Sequence, residues 1–172
     1  MIGYTEVIQT MGAMIIFSMI LMSANSMIQR NSTMQIEGEL EQEVISLGQE
    51  IIEEARSKSY DENTQGSMPP SIIPGGFTPT SGFPTKEEQE SRERSDFTAF
   101  EDYHNWSEII TTPHGDFSID VEVYYVDGDT YEQVESQTTF KKIDVTVRSE
   151  FLRGNNEPKI YKLEFIRNYY AD

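Results

Sequence analysis

The sequence contains no cysteine. It can therefore build no disulfide, thiolate nucleophile or cysteine-ligated metal site. Positive charge is scarce: 13 Lys and Arg stand against 30 Asp and Glu, for a net charge of −17. A phosphate backbone needs clustered cations, so nucleic acid is excluded as a partner, and docking on anionic lipid headgroups is disfavoured. An acidic surface of this kind suits a soluble, self-repelling exterior or one bathed in cations. Only two histidines occur, His104 and His114. Both fall in loop-like sequence, where a lone His is ordinarily a solvated surface residue. No serine sits in a nucleophile-elbow pattern, and no glycine-rich phosphate loop is present. The sequence therefore predicts a chain that is not an enzyme.

Charge is also missing from Val7 to Gln29, a run of 23 residues that is long enough to cross a bilayer core of about 30 Å. Gln9, Thr10, Ser18, Ser23, Asn25 and Ser26 interrupt it. Its apolar content leans on Met, and seven of the eight methionines lie in the first 34 residues. Met adapts to more than one apolar environment, which suits a helix that sits first in lipid and later among neighbours. Gly12 and Ala13 permit close approach of another helix. No Lys or Arg precedes Arg30, so the run does not read as an ordinary secretory signal peptide. Glu6 stands at the mouth of this run. It can complement the helix macrodipole from the first turn. Alternatively, it becomes buried on assembly against a cation such as a neighbour's N-terminal amine, because an unpaired buried carboxylate is very costly.

The next stretch continues the helix. Ile36, Leu40, Val44, Leu47, Ile51 and Ala55 step by three or four residues, one face of an α-helix. This stripe is expected to pack on the C-terminal domain. A coiled coil is less favoured, since Gly38 and Gly48 are poor helix formers. If the helix breaks near Arg30 to Thr33, Ser32 is a local cap. Together the two halves make about 57 helical residues, roughly 85 Å at 1.5 Å per residue. No domain of this size has so long an interior, so the apolar half must be covered by something other than its own chain. After the helix about 110 residues remain, enough for one small domain.

Residues 61–116 form a Pro/Gly-rich and aromatic region. Ile72, Ile73, Phe77 and Phe83 are too apolar for a free linker and should be pinned. "KEEQESRER" reads as a solvated turn or short helix, and Phe97, Phe100, Tyr103 and Trp106 form an aromatic cluster. From 117 to 172 the pattern is β. Phe117, Ile119, Val121 and Val123 alternate, then Ile143, Val145 and Val147, then Ile160, Leu163 and Phe165. Three strands with turns between them make an antiparallel meander. The predicted class is α+β, a long N-terminal helix on a small antiparallel sheet, with divisions at 1–30, 31–60, 61–116 and 117–172. In the turn "DGDTYE", Asp127, Asp129 and Glu132 offer oxygen ligands for Ca²⁺, with Glu101 and Asp102 in "FEDY" as further oxygens. The full calcium-loop pattern is missing, and a plain turn is the simpler reading.

Three stretches in order resemble the type IV pilin-like family, which includes type IV pilins, minor pilins and type II secretion pseudopilins. "GYTEVIQTMGAMIIFSMILM" looks like a leader junction followed by an apolar helix with an early Glu. "EVISLGQEIIEEARSKSYDE" is similar to the amphipathic continuation. "FEDYHNWSE" with "FKKIDVTVRS" looks like the "DDYxxW" loop and "YKxVxVxV" strand of that group. The family places its Glu at the fifth mature position, whereas Glu6 is third if the chain is cut after Gly3 and sixth if Met1 is the first mature residue. The basic leader and the usual cysteine pair are absent. The resemblance implies a filament-forming homo-oligomer, held in the inner membrane before an assembly machinery of pilus or secretion type extracts it. It then ends as an extracellular or cell-surface filament with its acidic domain facing out. Glu6, Gly12, Met14, Phe17 and Leu21 would carry assembly. Some pseudopilins bind calcium, which adds to the case for the 127–132 turn. The alternatives are a minor pilin or pseudopilin, or a single-pass anchored binding module.

Overall fold

The computed structural model describes residues 3–66, 70–154 and 157–171. The chain forms two compact units, Met1–Leu40 and Glu41–Asp172. One helix, α1 (Tyr4–Ser57, 54 residues), runs through the first unit and into the second. No proline interrupts it, and it runs unbroken past Ser32. Two hydroxyls inside the apolar run, those of Thr10 and Ser18, are satisfied by the helix itself. Thr10 Oγ1 donates to the Val7 carbonyl at 2.9 Å, and Ser18 Oγ to the Met14 carbonyl at 2.8 Å. Such back-bonding removes most of the cost of placing a hydroxyl in an apolar environment.

The second unit is a helix-on-sheet layer. Its sheet is antiparallel in the order β1 (Ser107–Thr112), β2 (Gly115–Val126), β4 (Phe140–Gly154), β5 (Glu157–Asn168). A two-residue strand, β3 (Gln133–Val134), pairs with the end of β2. The three predicted strands are present. The sheet begins at Ser107, however, ten residues before the expected boundary at 117, and β1 fills the gap. Gly115, at φ +123°, makes the tight β1–β2 turn that a side chain would strain.

Alternation puts one residue in two on the helix side. Register then aligns them in rows across the sheet: Tyr125, Lys141 and Arg167; Val123, Ile143 and Phe165; Val121, Val145 and Leu163. Phe117, Ile119, Val123, Ile143, Val145 and Val147 are fully buried. From α1, Leu40, Val44, Ile51 and Ala55 are buried and Leu47 is half-buried, while Ile36 is 55% exposed. Ile36 therefore leaves the expected packing stripe, and Gly48 and Ile52 join the buried face. At Gly48 the helix passes close to a side chain of the sheet. A Cβ there would lie 2.8 Å from Leu163 Cδ1 on β5.

Acidic residues of α1 flanking that buried face fasten its edges. Glu41 accepts from Lys159 Nζ at 3.0 Å and from the Tyr161 hydroxyl at 2.7 Å on β5. Glu43 meets His114 in the β1–β2 turn. Glu54 accepts from the Tyr103 hydroxyl at 2.9 Å and pairs with Arg94 at 3.1 Å. The excursion between helix and sheet is pinned as expected at Phe77 and Phe83, both buried, but Ile72 is exposed. The aromatic cluster of Phe97, Phe100, Tyr103 and Trp106 is wholly buried, with rings meeting edge to face. The "KEEQ" segment forms the short helix α2 (Lys86–Gln89), started by a capping box between Thr85 and Glu88.

A candidate assembly helix and a buried charge cluster

Two features of the chain go beyond what folding one small domain requires. The first is the apolar surface of α1 in the first unit. Ile8, Met11, Met14, Ile15, Ile16, Phe17, Met19, Ile20, Leu21 and Met22 are each more than half exposed. These positions cover every side of a 3.6-residue helix, so the apolar surface goes all the way round. A helix of that pattern needs apolar surroundings on all sides, from a bilayer or from other helices. The stretch is long and apolar enough to cross a membrane (mean hydropathy 1.9), and none of it is buried by the chain itself.

The predicted assembly residues all lie on this helix but not on one face. Met14, Phe17 and Leu21 are spaced by three and four and share a side, to which Glu6 also belongs. Gly12 falls across the helix from them. Nothing lies within 4 Å of where a Gly12 Cβ would be, so the notch is open. Glu6 is in the first turn, and its carboxylate accepts from the Gly3 N–H at 3.2 Å. This satisfies one of the free donors at the helix start and places the negative charge at the positive end of the dipole.

The second feature is a charge cluster inside the second unit. Lys141, at the start of β4, is fully buried. Its Nζ donates to Asp61 Oδ2 at 2.6 Å, to Glu101 Oε2 at 2.8 Å and to the Tyr60 carbonyl at 3.0 Å. The rings of Tyr60, Phe83 and Tyr125 surround it at 4.8–5.5 Å. Asp61 is also fully buried. Its Oδ1 accepts from the Thr78 N–H (3.0 Å), the Thr78 hydroxyl (2.9 Å) and the Asn63 N–H (3.1 Å). The Tyr125 hydroxyl lies 3.3 Å from Oδ2. Glu101 accepts from the Glu62 N–H at 2.7 Å through its other oxygen. Burial works to raise the Asp61 carboxyl, but the Lys141 charge and the surrounding N–H donors hold it below the usual carboxylate range. Burial dominates at Glu101 and, with the negative charge of Asp61, lifts it above that range despite Lys141.

Sequence reading took Glu101 and Asp102 as oxygens for a cation. Glu101 faces Lys141 instead. Asp102 pairs with Arg92 at 2.8 Å and accepts from the Thr98 and Ala99 N–H groups. The 127–132 segment forms the plain turn that is the simpler reading of its sequence: Asp127 Oδ1 accepts from the Asp129 and Thr130 N–H groups, each at 3.0 Å, which closes the turn. Among the described residues, no three of His, Asp or Glu are grouped so as to hold a metal ion. His104 is half-buried rather than solvated. Its Nδ1 accepts from the Val123 N–H at 3.1 Å on the edge of β2, and burial lowers its pKa. The signal for the Lys141 cluster was in plain view: a lysine on the inward side of an alternating strand, in register with buried apolar positions.

No family model matches the chain, and no curated protein or solved structure matches it either.

Proposed function

We propose that the chain is a structural subunit of a pilus-like filament, held in a membrane by the first part of α1 before assembly and packed through it against sister copies afterwards. One observation carries this reading: an all-round apolar helix, with no part of the stretch buried by its own chain, continuous with the helix that closes the core of an acidic domain. A bilayer can cover such a surface, and so can a bundle of identical helices. In the bundle, lipid contacts are exchanged for side-chain packing, so small residues and polar pairs decide the register. Gly12 supplies close approach. Glu6 supplies the polar pair, exchanging its Gly3 contact for a cation on a neighbour. The net charge of −17 keeps the domains on the outside and apart. The reading assigns the chain no reaction.

The test is Glu6→Ala, examined by membrane fractionation and by negative-stain microscopy of material sheared from cells. Unchanged membrane insertion with loss of fibres supports the role. Normal fibres from the variant would remove Glu6 from assembly. A wild-type chain found only in the membrane fraction would instead support a single-pass anchored module.

A further inference from the structure

The buried cluster holds every group needed to form an amide. We infer that Lys141 and Asp61 become joined by an intramolecular isopeptide bond, with Glu101 as the proton-transferring acid. The inference concerns the second unit alone and does not rest on the filament reading.

The geometry has three parts. The nucleophile and its target are already in contact, with Lys141 Nζ 2.6 Å from Asp61 Oδ2, and both residues have fully buried side chains. Holding reactants at this distance converts a bimolecular condensation into an intramolecular one, the largest single help a fold can give. Next, the other Asp61 oxygen has its own donors: the Thr78 hydroxyl and the Asn63 N–H reach Oδ1 within 3.1 Å, and the Thr78 N–H lies 3.0 Å from both carboxylate oxygens. These are placed to stabilise the negative charge that develops on that oxygen when the carbon is attacked. Finally, Glu101 Oε2 sits 2.8 Å from the same Nζ, and burial keeps its proton on more readily than usual. A protonated acid beside the amine can deliver one proton and take another.

The step balances without any added reagent. Lys141 passes a proton to Asp61 along their shared hydrogen bond, giving a neutral amine and a carboxylic acid. The reaction needs this neutral pair only transiently, and the buried walls of Tyr60, Phe83 and Tyr125 keep bulk water away while it exists. The Nζ lone pair attacks Asp61 Cγ, and Oδ1 takes the charge. Glu101 gives its proton to the departing Oδ2 hydroxyl and recovers one from the nitrogen. The C–Oδ2 bond breaks, a C–N bond forms, and one water leaves. Nothing is oxidised or reduced. The product would tie the exit of α1 to β4, a strand paired on both sides, across 80 residues of a chain that has no cysteine.

The experiment is intact-mass spectrometry of the folded full-length chain, with peptide mapping by tandem fragmentation. The expected wild-type mass is one water below that of its sequence, with a branched peptide joining the segments around Asp61 and Lys141. Glu101→Gln keeps the Glu62 contact and should fold, as judged by the fluorescence of buried Trp106, yet carry the full mass. Lys141→Met should carry the full mass whether or not it folds. A folded wild-type chain of full mass would overturn the inference. So would a water loss without the branched peptide, since that marks a cyclic imide at Asp61. Water loss persisting in folded Glu101→Gln would remove Glu101 from the chemistry.

Discussion

Gly38 and Gly48 lie on the same helix and should respond to alanine with opposite signs. In a helix interior, Gly→Ala gains about 1 kcal/mol from backbone propensity. At Gly38 nothing lies within 4 Å of the added carbon, so only that term acts. Gly38→Ala should be neutral to about 1 kcal/mol more stable. At Gly48 the added carbon would meet Leu163 Cδ1 at 2.8 Å and Cδ2 at 3.1 Å. Leu163 is half-buried opposite the fully buried Val145, and its δ-methyls must shift to admit the new carbon. Overpacking of this kind costs about 1–3 kcal/mol, which outweighs the propensity gain and leaves a net loss of about 1 kcal/mol. For a unit of this size that lowers the thermal midpoint by about 3–6 °C. The assay is thermal unfolding of the full chain in detergent, followed by Trp106 fluorescence. Combining Gly48→Ala with Leu163→Ala gives the decisive cycle. The alanine at 48 should lessen the cost of the Leu163 cavity, with a coupling of about 0.5–3 kcal/mol. If Gly48→Ala proves as stabilising as Gly38→Ala, with no coupling to Leu163, the helix is not docked on β5 at that point.

Two further expectations concern the domain. Because the folded pKa of His104 is depressed, its contribution is complete above the unfolded value of about 6.5 and is lost as pH falls through that value toward the folded pKa. Protonation removes the Nδ1 lone pair that accepts the Val123 N–H, a loss of about 1–2 kcal/mol between pH 7 and 5. Urea titrations at both pH values should show this loss, and His104→Gln should show a smaller one. Ile51→Ala, at a fully buried site, should cost about 2–5 kcal/mol. Ile36→Ala, at an exposed one, should move domain stability by less than about 0.5 kcal/mol.

The α+β class could be read from the sequence because its two periods are clean: steps of three and four from Leu40 to Ala55, and alternation from Phe117 to Val123. Ile36 continues the helical spacing without being covered, because spacing shows which side a residue is on and not whether anything lies there. Strand β1 was missed although "SEIITT" is rich in β-branched residues. Its exposed Ile109 and alternate polar positions hid the pattern, and pairing with β2 decides its state. Glu41 and Glu43 could not be matched to partners in the sequence, since those partners lie 71 to 120 residues away in "PHG" and "KIYK". The Lys141 cluster was half legible: strand phase puts Lys141 on the inward side with Ile143 and Val145, but only the fold brings Asp61 and Glu101 to it. Asp127 closes its own turn, the simpler of the two readings that "DGDTYE" offers.

The central claim is that copies of α1 pack against one another, and a cysteine-free chain allows a clean test. Single cysteines placed at Met14, Phe17 and Leu21, one per variant, should oxidise to covalent dimers in fibres sheared from the cell surface. A disulfide requires Cα atoms within about 7 Å, so a cross-link reports direct helix contact. The account predicts dimers from at least one of the three positions in fibres, with monomers from the same variant in dilute detergent. Monomers only, from all three in sheared material, would contradict it.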